Sequence, residues 1–130
     1  MRLLIALSLF VILVVLACES TDAALQQNTP KEATQGFLKA FEAEDFDLVE
    51  RYISASSKES FQNFRTNLNM ISVEERKTVL EAYKVPVETI NCLEQQGKTR
   101  CNLAYKPEGE GMLNLVQQEQ KWFVQIEFDY

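Results

Sequence analysis

The chain has 130 residues, with 13 basic and 19 acidic side chains and no histidine, which gives a net charge of −6 at pH 7. This length is enough for one globular domain and too short for two. The acidic balance excludes a nucleic-acid partner, which would require a basic face, and the lack of histidine excludes histidine triads and most catalytic zinc sites.

The N-terminus has the pattern of a secretory signal. A short positive start at Arg2 precedes an apolar run from Leu3 to Ala17 that is interrupted only by Ser8. A membrane-spanning helix needs about 20 apolar residues, so this shorter run suits the apolar core of a signal peptide. We therefore predict a signal peptide over residues 1–17.

The apolar run ends in four residues, Val15–Cys18, that resemble the lipobox of bacterial lipoproteins. They follow its order of a branched, a tolerated and a small residue before cysteine. The resemblance implies cleavage after Ala17, a diacyl group on the sulfur of Cys18 and a further acyl chain on its new amine. Two or three acyl chains give stable membrane attachment, whereas one chain holds a protein only marginally. An ordinary secretory signal with an incidental cysteine is the alternative.

The lipobox resemblance also implies a location. The domain would face the periplasm of the bacterial cell envelope and meet the membrane through its lipid anchor. Glu19 stands where Asp favours inner-membrane retention in enteric bacteria, so it favours the outer membrane. Residues 18–28 are polar and lack periodicity, which predicts the lipidated cysteine followed by a flexible tether.

Helical patterns occupy the first half of the predicted domain. Capping boxes, in which Ser or Thr precedes Glu by three positions, mark helix starts. The predicted boxes are Thr29 with Glu32, Ser56 with Glu59, and Ser72 with Glu75. A further short helix is predicted after the acidic joint near Asp45, and the last helix should end before Pro86. Apolar residues at helical spacing predict the buried positions Ala33, Phe37, Ala40, Phe41, Phe46, Val49, Tyr52, Ile53, Phe61, Phe64, Leu68, Val73, Val79, Leu80 and Tyr83.

After Pro86 the apolar period changes to two, which indicates strands. Gln96 and Gly97 form the pattern of a two-residue hairpin turn, and counting outward from it pairs Cys92 with Cys101. Pair types alternate from the turn, so the cysteines occupy a non-hydrogen-bonded site, where side chains approach most closely. We predict a structural disulfide in an oxidising compartment, because the spacing fits neither a zinc site nor a Cys-x-x-Cys redox motif.

The C-terminal segment carries the clearest strand pattern. Five alternate apolar positions predict one last strand: Trp122, Val124, Ile126, Phe128 and Tyr130. A turn at residues 119–120 places Leu115 opposite Val124 and Leu113 opposite Ile126, so the two apolar faces agree.

Helices followed by an antiparallel meander predict a single α+β domain over residues 29–130, with helices packed on a sheet of about four strands. The start of the predicted domain resembles the opening of small bacterial lipoproteins of the nuclear transport factor 2-like, or cystatin-like, superfamily. The segments that carry this resemblance are residues 29–33 (Thr-Pro-Lys-Glu-Ala), 37–41 (Phe-Leu-Lys-Ala-Phe) and 44–48 (Glu-Asp-Phe-Asp-Leu). Residues 121–124 (Lys-Trp-Phe-Val) are similar to the start of its last strand. Many of these proteins belong to domain families of unknown function. The resemblance implies a curved sheet wrapped around a long helix, forming a cone with an apolar interior.

The sequence offers few candidate residues for ligand binding or catalysis. Four aromatic residues at strand spacing are predicted to line either a pocket or an ordinary core: Tyr105, Trp122, Phe128 and Tyr130. Enzymes of the superfamily, such as ketosteroid isomerases and polyketide cyclases, place acids and tyrosines inside the cone. The predicted register puts three polar residues on the core face: Glu88, Glu94 and Gln117. Glu88 and Glu94 lie near strand ends, where their carboxylates can reach solvent.

An acidic stretch surrounds the first helix junction. Its members are Glu42, Glu44, Asp45, Asp47 and Glu50. The stretch lacks the alternating ligands, central glycine and closing glutamate of a calcium loop. We predict a solvated joint that caps a helix, and no metal or other cofactor.

Three functions remain open from the sequence. The first is a non-catalytic binding or interaction module of the envelope, with an envelope protein or an apolar small molecule as partner. The second is an isomerase- or cyclase-like enzyme that uses Asp, Glu or Tyr in the cone pocket. The third is a structural assembly factor of an envelope complex. An open cone with convergent polar groups would favour the enzyme, and a filled cone would favour a partner protein.

Overall fold

In the computed structural model, four α-helices pack with a four-stranded antiparallel sheet, which confirms the predicted α+β class. The structure describes residues 25–84, 86–106 and 108–129. The predicted signal peptide, Cys18 and Tyr130 lie outside the described residues. No helix within the described ranges is long and apolar enough to span a lipid bilayer.

The helices begin close to the predicted capping signals. They are α1 (Pro30–Glu42), α2 (Phe46–Tyr52), α3 (Lys58–Met70) and α4 (Val73–Tyr83), with a short 3-10 turn at Ala55–Ser57 before α3. The capping boxes of α1 and α4 are confirmed, because Thr29 with Glu32 and Ser72 with Glu75 exchange both hydrogen bonds. Each box satisfies backbone N–H groups that the first helical turn leaves unpaired.

The predicted capping box of Ser56 with Glu59 is wrong. Ser56 lies inside the 3-10 turn, and the N-cap of α3 is Ser57, whose side chain makes no capping bond. The Ser57 Oγ instead lies 2.9 Å from the Ser54 Oγ and accepts the N–H of Ile126 at 3.0 Å. The Ser57 hydroxyl therefore bonds to the backbone of Ile126, 69 positions away in the sequence, instead of capping α3.

The sheet is a simple meander in the order β1-β2-β3-β4. Its strands are β1 (Val87–Gln95), β2 (Lys98–Tyr105), β3 (Glu110–Gln118) and β4 (Lys121–Gln125). The predicted pairs Cys92 with Cys101 and Leu115 with Val124 are confirmed. The two cysteines form the predicted disulfide, with their Cα atoms 3.9 Å apart.

The last strand is shorter than predicted. β4 ends at Gln125, so Ile126 does not pair with Leu113 in the ladder. The N–H groups of Ile126 and Phe128 donate instead to the hydroxyls of Ser57 and Ser60, at 3.0 and 3.4 Å. These bonds direct the chain from the sheet to the start of α3.

Aromatic rings fill the space between the helices and the sheet. Phe41, Phe61, Phe64 and Phe128 are buried, and the centroids of their contacting rings lie 4.9 to 6.3 Å apart. These separations are typical of favourable aromatic pairs. The prediction that Val73 is buried is wrong, because this residue lies at the first turn of α4 and is 85% exposed.

Part of the predicted tether belongs to the folded domain. Gln27 is 2% exposed, and its side-chain amide donates to the carbonyl of Trp122 at 2.9 Å and to that of Arg51 at 3.3 Å. The carbonyl of Gln27 accepts the Trp122 N–H at 2.9 Å, and Leu25 packs against the core. The folded domain therefore begins before residue 29.

Candidate binding groove at the free sheet edge

The aromatic cluster leaves the centre of the described fold filled. Three cavities among the described residues are grooves on the surface, with volumes of about 570, 630 and 910 Å³. The core-face positions predicted for Glu88, Glu94 and Gln117 do not hold carboxylates or amides in the interior, because all three residues are exposed. Glu88 lies at a register irregularity of β1 and pairs with Lys106 at 3.3 Å.

Of these three grooves, the one of about 910 Å³ lies between α1 and β1. Its α1 wall is one face of the helix, formed by Lys31, Gln35, Leu38, Lys39 and Glu42. Residues 86–91 and the end of α4 form the opposite wall. We call this feature the α1–β1 groove.

The floor of the α1–β1 groove is apolar. Leu38, Tyr83 and Ile90 are partly buried and pack against the core. Burial, and secondly the carboxylate of Asp129, raise the pKa of the Tyr83 hydroxyl. Tyr83 therefore stays protonated and offers a hydrogen-bond donor rather than a base.

The rim of the groove carries both paired and unpaired charges. Lys84 pairs with Glu44 at 3.0 Å, and Glu88 pairs with Lys106 at 3.3 Å. Lys31 and Lys39 are exposed and form no ion pair with any described residue, and the same is true of Glu42. The unpaired charges at the rim are therefore positive on balance.

The two edges of the sheet differ. Along β4, the Ser54 N–H donates to the Val124 carbonyl at 2.8 Å, and Gln27 bonds both backbone groups of Trp122. Along β1, the described residues make no hydrogen bond across the outer edge. The groove thus lies beside the uncovered edge.

The structure does not gather Tyr105, Trp122 and Phe128, the three predicted aromatic residues that it describes, into one site. Phe128 lies in the core, whereas Trp122 is partly buried at β4 beside Gln27. The Tyr105 ring lies over the backbone of Gly111, close enough to leave no room for a side chain there. None of these residues lines the α1–β1 groove.

The acidic joint has the predicted capping role. The Asp45 carboxylate accepts the Leu48 N–H at 3.1 Å at the start of α2, and Arg65 pairs with Asp47 at 3.0 Å and with Glu50 at 3.5 Å. In the part of the chain that the structure describes, no group of three or more acidic or cysteine side chains is placed to hold a metal ion.

Sequence reasoning missed the groove. The sequence shows that Lys31 and Lys39 lie eight positions apart on the exposed face of α1. The position of this face beside β1, however, depends on packing between elements that are distant in the sequence. No protein-family model matches the chain, and searches of curated proteins and of solved structures found no match.

Proposed function

We propose that this protein is a lipid-anchored lipoprotein of the bacterial cell envelope. Its periplasm-facing domain binds a partner through the α1–β1 groove without catalysing a reaction. The placement of this groove carries the proposal: a cavity of about 910 Å³ lies beside a sheet edge that no described residue covers, outside the aromatic core.

We also propose that the domain has the cone architecture of the nuclear transport factor 2-like superfamily. The contacts of α1 with β1, β2 and β4 support this, since a helix lying across a sheet is what such a cone requires. In this proposal aromatic rings occupy the cone, and binding takes place at its outer edge.

The described residues favour binding over acid–base catalysis. An isomerase- or cyclase-like enzyme needs a buried acid or tyrosine whose pKa suits proton transfer in an open pocket. Hydrogen bonds from Ser72 lower the pKa of the Glu75 carboxyl, which lies at an exposed helix cap. Tyr83 is shifted in the direction that keeps its proton. Neither group suits a general base at neutral pH.

Metabolic labelling tests the anchor. Radiolabelled palmitate should enter the wild-type protein and not the Cys18→Ser variant, because the sulfur of Cys18 is the proposed acylation site. Equal labelling of the two proteins would contradict the anchor.

Site-specific photo-crosslinking in intact cells tests the groove. A photoreactive amino acid at Gln35, on the groove wall, should give discrete adducts by mass spectrometry, whether the partner is a protein or a small molecule. The matched control is Gln62, which is exposed on α3 and does not line the described grooves. A lack of adducts at Gln35 would contradict the proposal. Strong adducts at both positions would favour the structural assembly factor, whose surface is covered more widely.

A further inference from the structure

We infer that the uncovered edge of β1 binds an extended segment of another envelope protein by strand addition, and that this segment places an acidic, an apolar and a second acidic side chain in the α1–β1 groove. The inference rests on the proposed function and specifies the chemistry of the partner.

The backbone of β1 offers free hydrogen-bonding groups. In an antiparallel hairpin the pair next to a two-residue turn is hydrogen-bonded, and the pair types then alternate. The register pairs Gln95 with Lys98 next to the turn, so Ile90, Cys92 and Glu94 belong to the non-hydrogen-bonded class. Their N–H and C=O groups point away from β2, toward the outer edge. No described residue bonds to these groups, and an added strand would satisfy them.

The contrast between the two sheet edges points to a missing partner rather than to an edge that solvent alone covers. β4 is five residues long and is covered by Gln27 and Ser54. β1 is nine residues long and has no such cover in the described ranges. Long uncovered edges invite pairing with other chains, and proteins usually shield them. The uncovered edge is also the one that has a groove beside it.

The groove sets the side-chain pattern of the partner. Side chains of an added strand that point to the core side would enter the groove at every second residue. Lys31 and Lys39 lie eight positions apart on α1, which corresponds to about 12 Å along the helix axis. Residues four positions apart in a strand are separated by about 13 Å. Two acidic side chains at that spacing match the two ammonium groups, and an apolar side chain between them packs on Leu38 and Ile90.

A second copy of this chain fits the edge poorly. Glu88, Ile90, Cys92 and Glu94 share the core-side face of β1, so its two glutamates lie six positions apart, about 20 Å in a strand. That distance exceeds the roughly 12 Å that separates Lys31 from Lys39 along α1, so a second β1 strand does not place an acidic side chain at each ammonium group. A partner with its own sequence can carry its acidic residues four positions apart.

The probe for the test is a fluorescent seven-residue peptide with the sequence Thr-Glu-Thr-Val-Thr-Glu-Thr. Its anisotropy is measured against the full chain in detergent micelles. We expect binding, and at least about tenfold weaker binding of the peptide in which both glutamates are replaced by lysine, since two attractive ion pairs become repulsive. In the complex, hydrogen exchange of the Ile90, Cys92 and Glu94 amides should slow.

Charge reversal in the protein provides the matched comparison. Lys31→Glu with Lys39→Glu should weaken binding of the glutamate peptide by about tenfold or more and improve binding of the lysine peptide. The control is Lys58→Glu with Lys121→Glu, which changes the net charge equally at exposed residues that do not line the groove. The control should bind within about twofold of the wild type, well below a tenfold effect.

Backbone methylation of the peptide separates strand addition from simple side-chain docking. In a strand, alternate N–H groups point to the same edge. Methylating one alternate set should abolish binding, whereas methylating the other set should leave it nearly unchanged. Equal effects of the two sets, unchanged exchange of the β1 amides, or no binding of the glutamate peptide would overturn the inference.

The outcomes distinguish this inference from the proposed function. Photo-crosslinks at Gln35 without peptide binding would overturn strand addition and leave a binding groove in place. No crosslinks and no peptide binding would overturn both. A dimer seen by sedimentation equilibrium that the glutamate peptide fails to dissociate would assign the edge to a second copy and overturn the inference.

Discussion

At the scale of single residues, the hydroxyl of Ser57 joins parts of the chain that are far apart in sequence. It is 2% exposed, lies 2.9 Å from the Ser54 hydroxyl and accepts the N–H of Ile126. Ser57→Ala leaves that partly buried N–H and the buried Ser54 hydroxyl without this partner, so we expect the free energy of unfolding to fall by about 1–3 kcal/mol. Urea denaturation would measure the change.

The neighbouring serine provides the control for that prediction. Ser56 is exposed, and its hydroxyl contacts the Ser54 hydroxyl and, at 3.5 Å, the amide of Gln125. Water can replace these bonds, so Ser56→Ala should change stability by less than about 0.5 kcal/mol. Similar losses for the two variants would contradict the special role assigned to Ser57.

Gly36 supports a second prediction about a single residue. In an exposed helix position, Gly→Ala stabilises by about 0.5–1 kcal/mol, but a Cβ at Gly36 would overlap the buried ring of Tyr52. Overpacking costs about 1–3 kcal/mol, so Gly36→Ala should lower the melting temperature.

The Tyr52→Ala background checks the cause of that effect. With the ring removed, Gly36→Ala should become neutral or stabilising relative to the Tyr52→Ala parent. An increase in the melting temperature when Gly36→Ala is made in the wild type would show that the packing against Tyr52 is looser than the structure indicates.

At the scale of elements, the sequence predicted those features whose determinants lie close together in the chain. The box of Thr29 with Glu32 closes within one helical turn, and the turn at Gln96 and Gly97 sets the hairpin register by simple counting. The end of β4 was missed because it depends on hydroxyls of the α3 region that lie far away in sequence. The candidate groove was missed for the same reason, since no local pattern places α1 beside β1.

The disulfide between β1 and β2 gives a prediction at this scale. Cys92 and Cys101 are separated by nine positions, so the bridge closes a short loop that the hairpin turn already brings together. In the loop-entropy model a bridge of this length stabilises by roughly 2–3 kcal/mol. Reduction should therefore lower the free energy of unfolding by about that amount while far-ultraviolet circular dichroism stays unchanged at 25 °C.

Alkylation before reduction checks the bridge itself. Intact mass should show no modified cysteine in the folded domain without reductant and two modified cysteines after it. Alkylation of both Cys92 and Cys101 in the absence of reductant would show that the pair is not bridged in the isolated protein.

At the scale of the whole molecule, the start of the described domain and the α1–β1 groove lie at opposite edges of the sheet. Gln27 ties the start of the domain to β4, whereas the α1–β1 groove borders β1. Three strand spacings, about 14 Å, separate these two strands. A domain held from the β4 side would thus present its groove toward the periplasm, where an extended segment of another protein can reach it.

The proposed anchor predicts how the domain is oriented at the membrane. Even fully extended, the chain from Cys18 to Leu25 spans at most about 25 Å, so the β4 side should stay closer to the bilayer than the β1 side. A fluorescent amino acid at Lys121 on β4 should transfer energy to acceptor lipids more efficiently than the same amino acid at Asn91 on β1; both positions are exposed. In the Cys18→Ser protein both transfers should fall to the level of unbound protein. Equal or greater transfer from Asn91 in the anchored protein would mean that the groove faces the bilayer, and would count against a periplasmic protein as its partner.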